Sequence, residues 1–115
     1  MIQRRMLLLL LAVVPLAAIA HHGWSEYDST KPLQLTGTIV DARYSHPHGI
    51  VMLKTADKTW LAVLAPPSRM ESRGLTREML KEGNTATVEG YPNKSNPDEM
   101  RSERITIAGK TFELR

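Results

Sequence analysis

Strict alternation in Leu33-Gln34-Leu35-Thr36-Gly37-Thr38-Ile39 limits this chain more than any other feature. Leu33, Leu35, Gly37 and Ile39 fall on one face and Gln34, Thr36 and Thr38 on the other, the period of two expected for a strand buried on one side. The predicted strand runs from Leu33 to Tyr44 and is broken by Ser45-His46-Pro47-His48-Gly49. Further short strands are predicted over Ile50 to Lys54 and Thr59 to Leu64, paired as a hairpin across Ala56-Asp57-Lys58. Others follow over Thr85 to Tyr91, Met100 to Ile107 and Thr111 to Leu114. Between the third and fourth, Pro66-Pro67 stops the strand and Ser68 is placed to cap a helix over Arg69 to Arg73 that closes at Gly74. A second helical turn is predicted over Thr76 to Lys81, and Pro92 to Glu99 reads as a mobile loop. Three strands, a short helical connection and two or three more strands are the order of an OB-type barrel. The expected fold is therefore all-β, a small OB-like β-barrel of five to six strands, with Gly37 and Gly90 at its sharp bends. An open β-sandwich is the alternative.

The first 20 residues read as a secretory signal peptide. Arg4 and Arg5 supply the basic start, Met6 to Ile19 is apolar apart from Pro15, and Ala18-Ile19-Ala20 fits the small-x-small cleavage pattern. A membrane anchor needs about 20 consecutive apolar residues, more than this run offers. Cleavage after Ala20 makes His21 the first mature residue and places the protein in the periplasm, with no stable membrane anchor. The expected organisation is a signal peptide over 1–20, an N-terminal arm over 21–32 and a barrel domain over 33–115. Removing 20 of 115 residues leaves 95, enough for one modest core.

Charge and cysteine content narrow the function. The chain has 15 basic and 12 acidic residues, and two of the basic ones leave with the signal peptide, so the mature surface is near neutral. Neither nucleic acid nor an acidic membrane is expected as a partner. Cysteine is absent. No disulfide staples the fold, and a metal site must be built from histidine, methionine, carboxylate or backbone nitrogen.

All four histidines lie in two pairs, His21-His22 and His46/His48. Cleavage would expose at His21 an α-amine whose ordinary pKa is about 7.7 to 8.0, low enough for a metal to displace its proton near neutral pH. The amine and the His21 ring form one chelate, to which His46 or His48 adds a third nitrogen. Alternatively, the amine, the deprotonated His22 amide and the His22 ring bind in one plane. Both arrangements favour Cu(II). Pro47 biases His46 toward extended backbone, and residues two apart on extended chain point to the same side, so His46 and His48 are expected to present their rings together. The competing interpretation is that these are surface histidines.

Other residues carry less. Trp24 and Tyr27 are expected to pin the arm to the barrel, Glu26 and Asp28 to be solvated, and Arg69, Arg73 and Arg77 to form a solvent-facing basic stripe. Met52, Met70, Met79 and Met100 are too dispersed for a Cu(I) site. Ser25, Ser45 and Ser68 lack the positioned base and oxyanion donors of a hydrolase, and no catalytic machinery is evident.

His21-His22-Gly23-Trp24, Leu35-Thr36-Gly37-Thr38-Ile39, Pro47-His48, Ser72-Arg73-Gly74-Leu75 and Leu80-Lys81-Glu82-Gly83 followed by Thr85 to Gly90 resemble the DUF6152 family of small exported bacterial proteins. The resemblance covers nearly all of the mature chain and implies a signal peptide, a His-His pair, an Asn-Pro-His loop and an OB-like barrel. His21, His22, Pro47 and His48 match those positions, whereas His46 stands where asparagine is usual. The weight among the loop residues therefore falls on His48. The family's function is not known, and the resemblance implies no substrate.

Taken together, the sequence points to an exported copper-binding protein with a role in metal handling. A metal-independent envelope module that binds a small ligand, glycan or protein on its barrel is the alternative, and a copper-dependent oxidase ranks below both.

Overall fold

In the computed structural model, which describes residues 23–115, the alternating segments become six strands. They are β1 (Leu33–Arg43), β2 (Ile50–Lys54), β3 (Thr59–Val63), β4 (Thr85–Pro92), β5 (Glu99–Ile107) and β6 (Lys110–Glu113). The sheet order is β3-β2-β1-β4-β5-β6, and a parallel pairing of β3 with β5 closes the first five into a barrel to which β6 is added. This is the OB-like barrel expected from the strand order. Closure places Leu61 opposite Glu99, Ala62 opposite Met100 and Val63 opposite Arg101.

One face of each strand fills the barrel. Ile39, Val51, Leu53, Trp60, Ala62, Val88, Met100 and Ile105 are buried together, and Ser102 joins them with its hydroxyl on the Met100 sulfur at 3.2 Å. Their neighbours Ile50, Met52, Leu61, Val63, Glu99 and Arg101 therefore point to the outer side of the wall. Two register shifts bend the sheet, one between Ile39 and Asp41 of β1 and one beside Glu89 and Gly90 of β4. An added residue at such a bulge increases the local twist that a small barrel needs.

The end of the barrel is plugged by α1 (Pro67–Ser72) and a 3-10 turn at Arg77–Leu80, through Met70, Leu75 and Leu80. The helix starts earlier than the sequence suggested. Pro66, not Ser68, is the cap residue, and its carbonyl accepts from Arg69 and Met70, while Pro67 takes the first helical position, where a missing N–H costs nothing. At the other end Gly74, at φ +86°, allows the Leu75 N–H to reach the Met70 carbonyl at 2.8 Å and its own N–H to reach Glu71 at 3.0 Å, a Schellman closure. Tyr44 ties this plug to the end of β1 by donating to the Leu75 carbonyl at 2.6 Å.

The three arginines are exposed, as expected of a solvent-facing stripe, and also reach backbone oxygens. Arg69 donates to Leu114, Arg73 to Glu113, and Arg77 to Tyr44, whose ring it also covers. The segment at 93–98 is a loop, as expected, and it carries its own hydrogen bonds. The Asn93 side-chain oxygen accepts from the Ser95 and Asn96 amides, and Lys58 donates to the Pro97 carbonyl and pairs with Asp98 at 3.1 Å. Asparagine side chains make such turns locally rigid by replacing backbone acceptors.

Gly90 sits where β4 passes closest to β5. A Cβ there would overlap the Arg101 carbonyl oxygen, which is backbone and cannot swing away. Gly90→Ala is expected to lower unfolding stability by at least about 2 kcal/mol in a urea titration, the range of overpacked cores.

Candidate binding site on the outer wall

The outer side of the β2–β3–β5 wall forms two cross-strand rows. Ile50 lies opposite Val63 and Val63 opposite Arg101, while Met52 lies opposite Leu61 and Leu61 opposite Glu99. The rows thus run from apolar side chains on β2 and β3 to charged ones on β5. Over them fold the arm and the β1–β2 loop. The result is an open pocket of about 260 Å³ lined by Tyr27, Pro47, His48, Ile50, Leu61, Val63, Glu99 and Arg101.

The arm is held by a short sequence of local contacts. Trp24–Glu26 forms a 3-10 turn, closed by the Tyr27 N–H on the Trp24 carbonyl at 3.0 Å. Tyr27 then bridges to Asn93, and the Asp28 amide donates to the Pro92 carbonyl at 2.9 Å. Tyr27 is buried, with its hydroxyl on the Glu99 carboxylate at 2.6 Å, and Asn93 donates to the same oxygen at 3.1 Å. Trp24 lies between two guanidinium groups, Arg101 at 4.6 Å and Arg115 at 4.4 Å from its ring centre, with the edge of Tyr91 against it. Both aromatics pin the arm, as their position in the sequence suggested. Asp28 turns back on Thr30 instead, and the two hydrogen bonds from Thr30 hold its carboxyl below the usual range.

Arg101 is the centre of this arrangement. It points outward from β5 yet is only 6% exposed, because the arm covers it. Its Nη2 lies 3.3 Å from His48 Nε2, and its Nε is buried with no hydrogen-bond partner. Among the described residues no carboxylate lies within ion-pairing distance of it. Burial, and to a smaller extent the charges of Arg69 and Arg115, lower its pKa, with Tyr27 acting in the opposite sense. Arginine has donors only, so the nitrogen of His48 that faces it presents a lone pair.

Of the four histidines singled out in the sequence, His21 and His22 lie outside the described residues. His48 is half-buried in the pocket wall, and His46 is exposed and does not line it. The expected joint presentation of the two rings is not seen in the pocket, whose lining includes His48 and not His46. Among the described residues no three histidine, aspartate or glutamate side chains come together as a metal cluster. Arg101 and Glu99 were not singled out from the sequence. The only hint was Glu99-Met100-Arg101-Ser102-Glu103, a strand whose outward face is entirely charged.

The DUF6152 family model, described as a family of unknown function, matches residues 9–101. The chain belongs to the DUF6152 family. No curated protein matches it in sequence. Solved structures with a similar fold include TiaS in complex with tRNA(Ile2) and ATP, at TM-score 0.54 and 20% identity, covering 77% of this DUF6152 chain and 20% of that one. A ZRD-deleted mutant of TiaS in complex with agmatine gives TM-score 0.56 and 18% identity, over 76% of this chain and 27% of that one. The Stn1-ten1 complex of S. pombe gives 0.54 and 14%, over 69% of this chain and 59% of that one. This DUF6152 protein thus spans only a fifth to a quarter of the TiaS chains, and the likeness concerns the barrel fold alone.

Burial chiefly, and then the Glu99 carboxylate, raise the Tyr27 pKa well above its ordinary 10.0. Tyr44 is raised by burial and Tyr91 by its hydrogen bond to Glu103. A group raised in the folded state contributes stability that is complete below its unfolded pKa and is lost as pH rises toward the folded one. Stability is therefore expected to fall from about pH 10 upward, and Tyr27→Phe is expected to flatten that alkaline limb. At neutral pH the same variant is expected to cost about 1.5–3 kcal/mol for the lost hydrogen bond to a charged group. Denaturant titrations at a series of pH values check both.

Proposed function

We propose that this is an exported periplasmic protein that binds copper through its mature N-terminal histidine and His48, in a role of metal handling. The observation that carries the reading is the Trp24, Arg101 and His48 contact series. It anchors the first described turn of the chain one guanidinium away from the half-buried histidine. Two residues of chain span at most about 7 Å, so a chain anchored at Trp24 limits the reach of what precedes it, and His48 is joined to that anchor through Arg101.

The donor set fits Cu(II). His48 would supply its Nε2 lone pair to a metal by giving up its contact with Arg101 Nη2, and cleavage after Ala20 would provide the amine and ring nitrogens of His21, with the His22 amide and ring as a second planar set. When bound, the ion would be held by nitrogen ligands in a tetragonal field. The Arg101 charge opposes any cation at His48, so the imidazole alone is a poor site and the terminal chelate is the dominant contribution. His46 contributes least in this reading because it is exposed and lies off the pocket.

Cu(II) titration of protein beginning at His21, followed by electron paramagnetic resonance, is expected to give one equivalent with nitrogen hyperfine structure. One extra residue before His21 is expected to abolish tight binding. His48→Ala is expected to weaken binding on the order of 100-fold, at the upper end of what loss of a ligand's supporting partner costs, and His46→Ala by much less. Equal, weak binding by the native and extended forms would overturn the reading.

A further inference from the structure

A buried cation without a counter-ion is an expensive arrangement in a protein wall. Removing a charge from water costs several kcal/mol after relaxation, and structures normally recover this through a paired carboxylate and complete hydrogen bonding. Arg101 has neither among the described residues, although the carboxylate of Glu99 stands two residues away on the same face of β5. Glu99 is held instead by Tyr27 and Asn93, both on one of its oxygens. The cation is thus part of a pocket whose other walls are the apolar Ile50, Leu61, Val63 and Pro47 together with His48, Tyr27 and the Glu99 carboxylate, one oxygen of which Tyr27 and Asn93 already occupy.

We propose that this outer-wall pocket binds a small organic monocarboxylate, whose carboxylate pairs with Arg101 and whose apolar body lies on Ile50, Leu61 and Val63. The planar guanidinium suits a carboxylate, and the apolar floor supplies the rest of the affinity. At about 260 Å³ the pocket falls below the usual lower bound for drug-sized ligands of about 300 Å³, which points to a short-chain acid. A free inorganic anion would leave the apolar floor unused, and an amine would meet the Arg101 charge. The inference goes beyond the copper reading and does not depend on it, since it uses neither the terminal amine nor a metal.

The test is an NMR titration of the metal-free protein, stripped with a chelator, using hexanoate, hexan-1-ol and hexylamine at neutral pH. Hexanoate is expected to shift the methyl signals of Ile50, Leu61 and Val63 and to bind at least about tenfold more tightly than hexan-1-ol, the scale of a charged hydrogen-bonded pair. Arg101→Gln is expected to remove that preference and Arg101→Lys to retain part of it. Should Arg101→Gln fail to fold, the comparison of the three ligands on the native protein still decides. Equal binding of acid and alcohol, preference for the amine, shifts confined to other parts of the barrel, or no shifts at all would each overturn the proposal. Because metal is absent throughout, none of these outcomes bears on copper binding.

Discussion

The parallel seam between β3 and β5 is the constraint on which the remainder rests. Only three residue pairs make it, and parallel pairing is slightly weaker per residue than antiparallel. Yet it does two things at once. It converts a six-stranded sheet into a closed barrel, and it places Val63 beside Arg101 and Leu61 beside Glu99, so that the wall acquires an apolar side and a charged side along one line. The 93–98 turn serves this seam, with the Leu61 amide donating to the Asp98 carbonyl at 2.8 Å just ahead of the first pair.

The arm depends on the seam in turn. Tyr27 finds its partner in Glu99 and Trp24 in Arg101, both outward residues of β5. Two guanidinium groups on the faces of one indole supply cation–π attraction, about 0.5–2 kcal/mol each according to how dry the contact is. This offsets part of the cost of covering Arg101. The part left over is a local conflict between stability and arrangement, and such conflicts are concentrated where proteins bind something.

Much of the fold was legible because each strand is short, alternates and is closed by a turn former. The predicted strand bounds differ from the observed ones by only a residue or so, and Gly74 was recognisable as a helix stop. Ser68 was misread because serine's preference for caps was weighed without the Pro66-Pro67 pair, which starts the helix through its own geometry. The Arg69, Arg73 and Arg77 stripe is exposed as expected, but its acceptors were not legible because they are carbonyls at Leu114, Glu113 and Tyr44, distant in sequence. Arg101 was illegible for the same reason. Its outward position follows from strand periodicity, but the indole that buries it comes from a turn more than seventy residues earlier. His48 was visible because proline and glycine flank it in a loop. That only His48 of the loop pair lines the pocket is not encoded in any pattern that periodicity reads.

Strand alternation leaves the two sides of this barrel separately adjustable. On β3 and β5, Trp60, Ala62, Met100 and Ser102 face inward, whereas Leu61, Val63, Glu99 and Arg101 face outward from the same backbone. Leu61 and Val63 can be exchanged without disturbing the packed interior or its register, whereas Glu99 and Arg101 also hold the arm through Tyr27 and Trp24. A barrel that bound its ligand in the lumen would lack this freedom, since every change of specificity there would also be a change of core volume. Related chains of one fold can therefore keep their inner residues while diverging at the apolar positions of the wall outside.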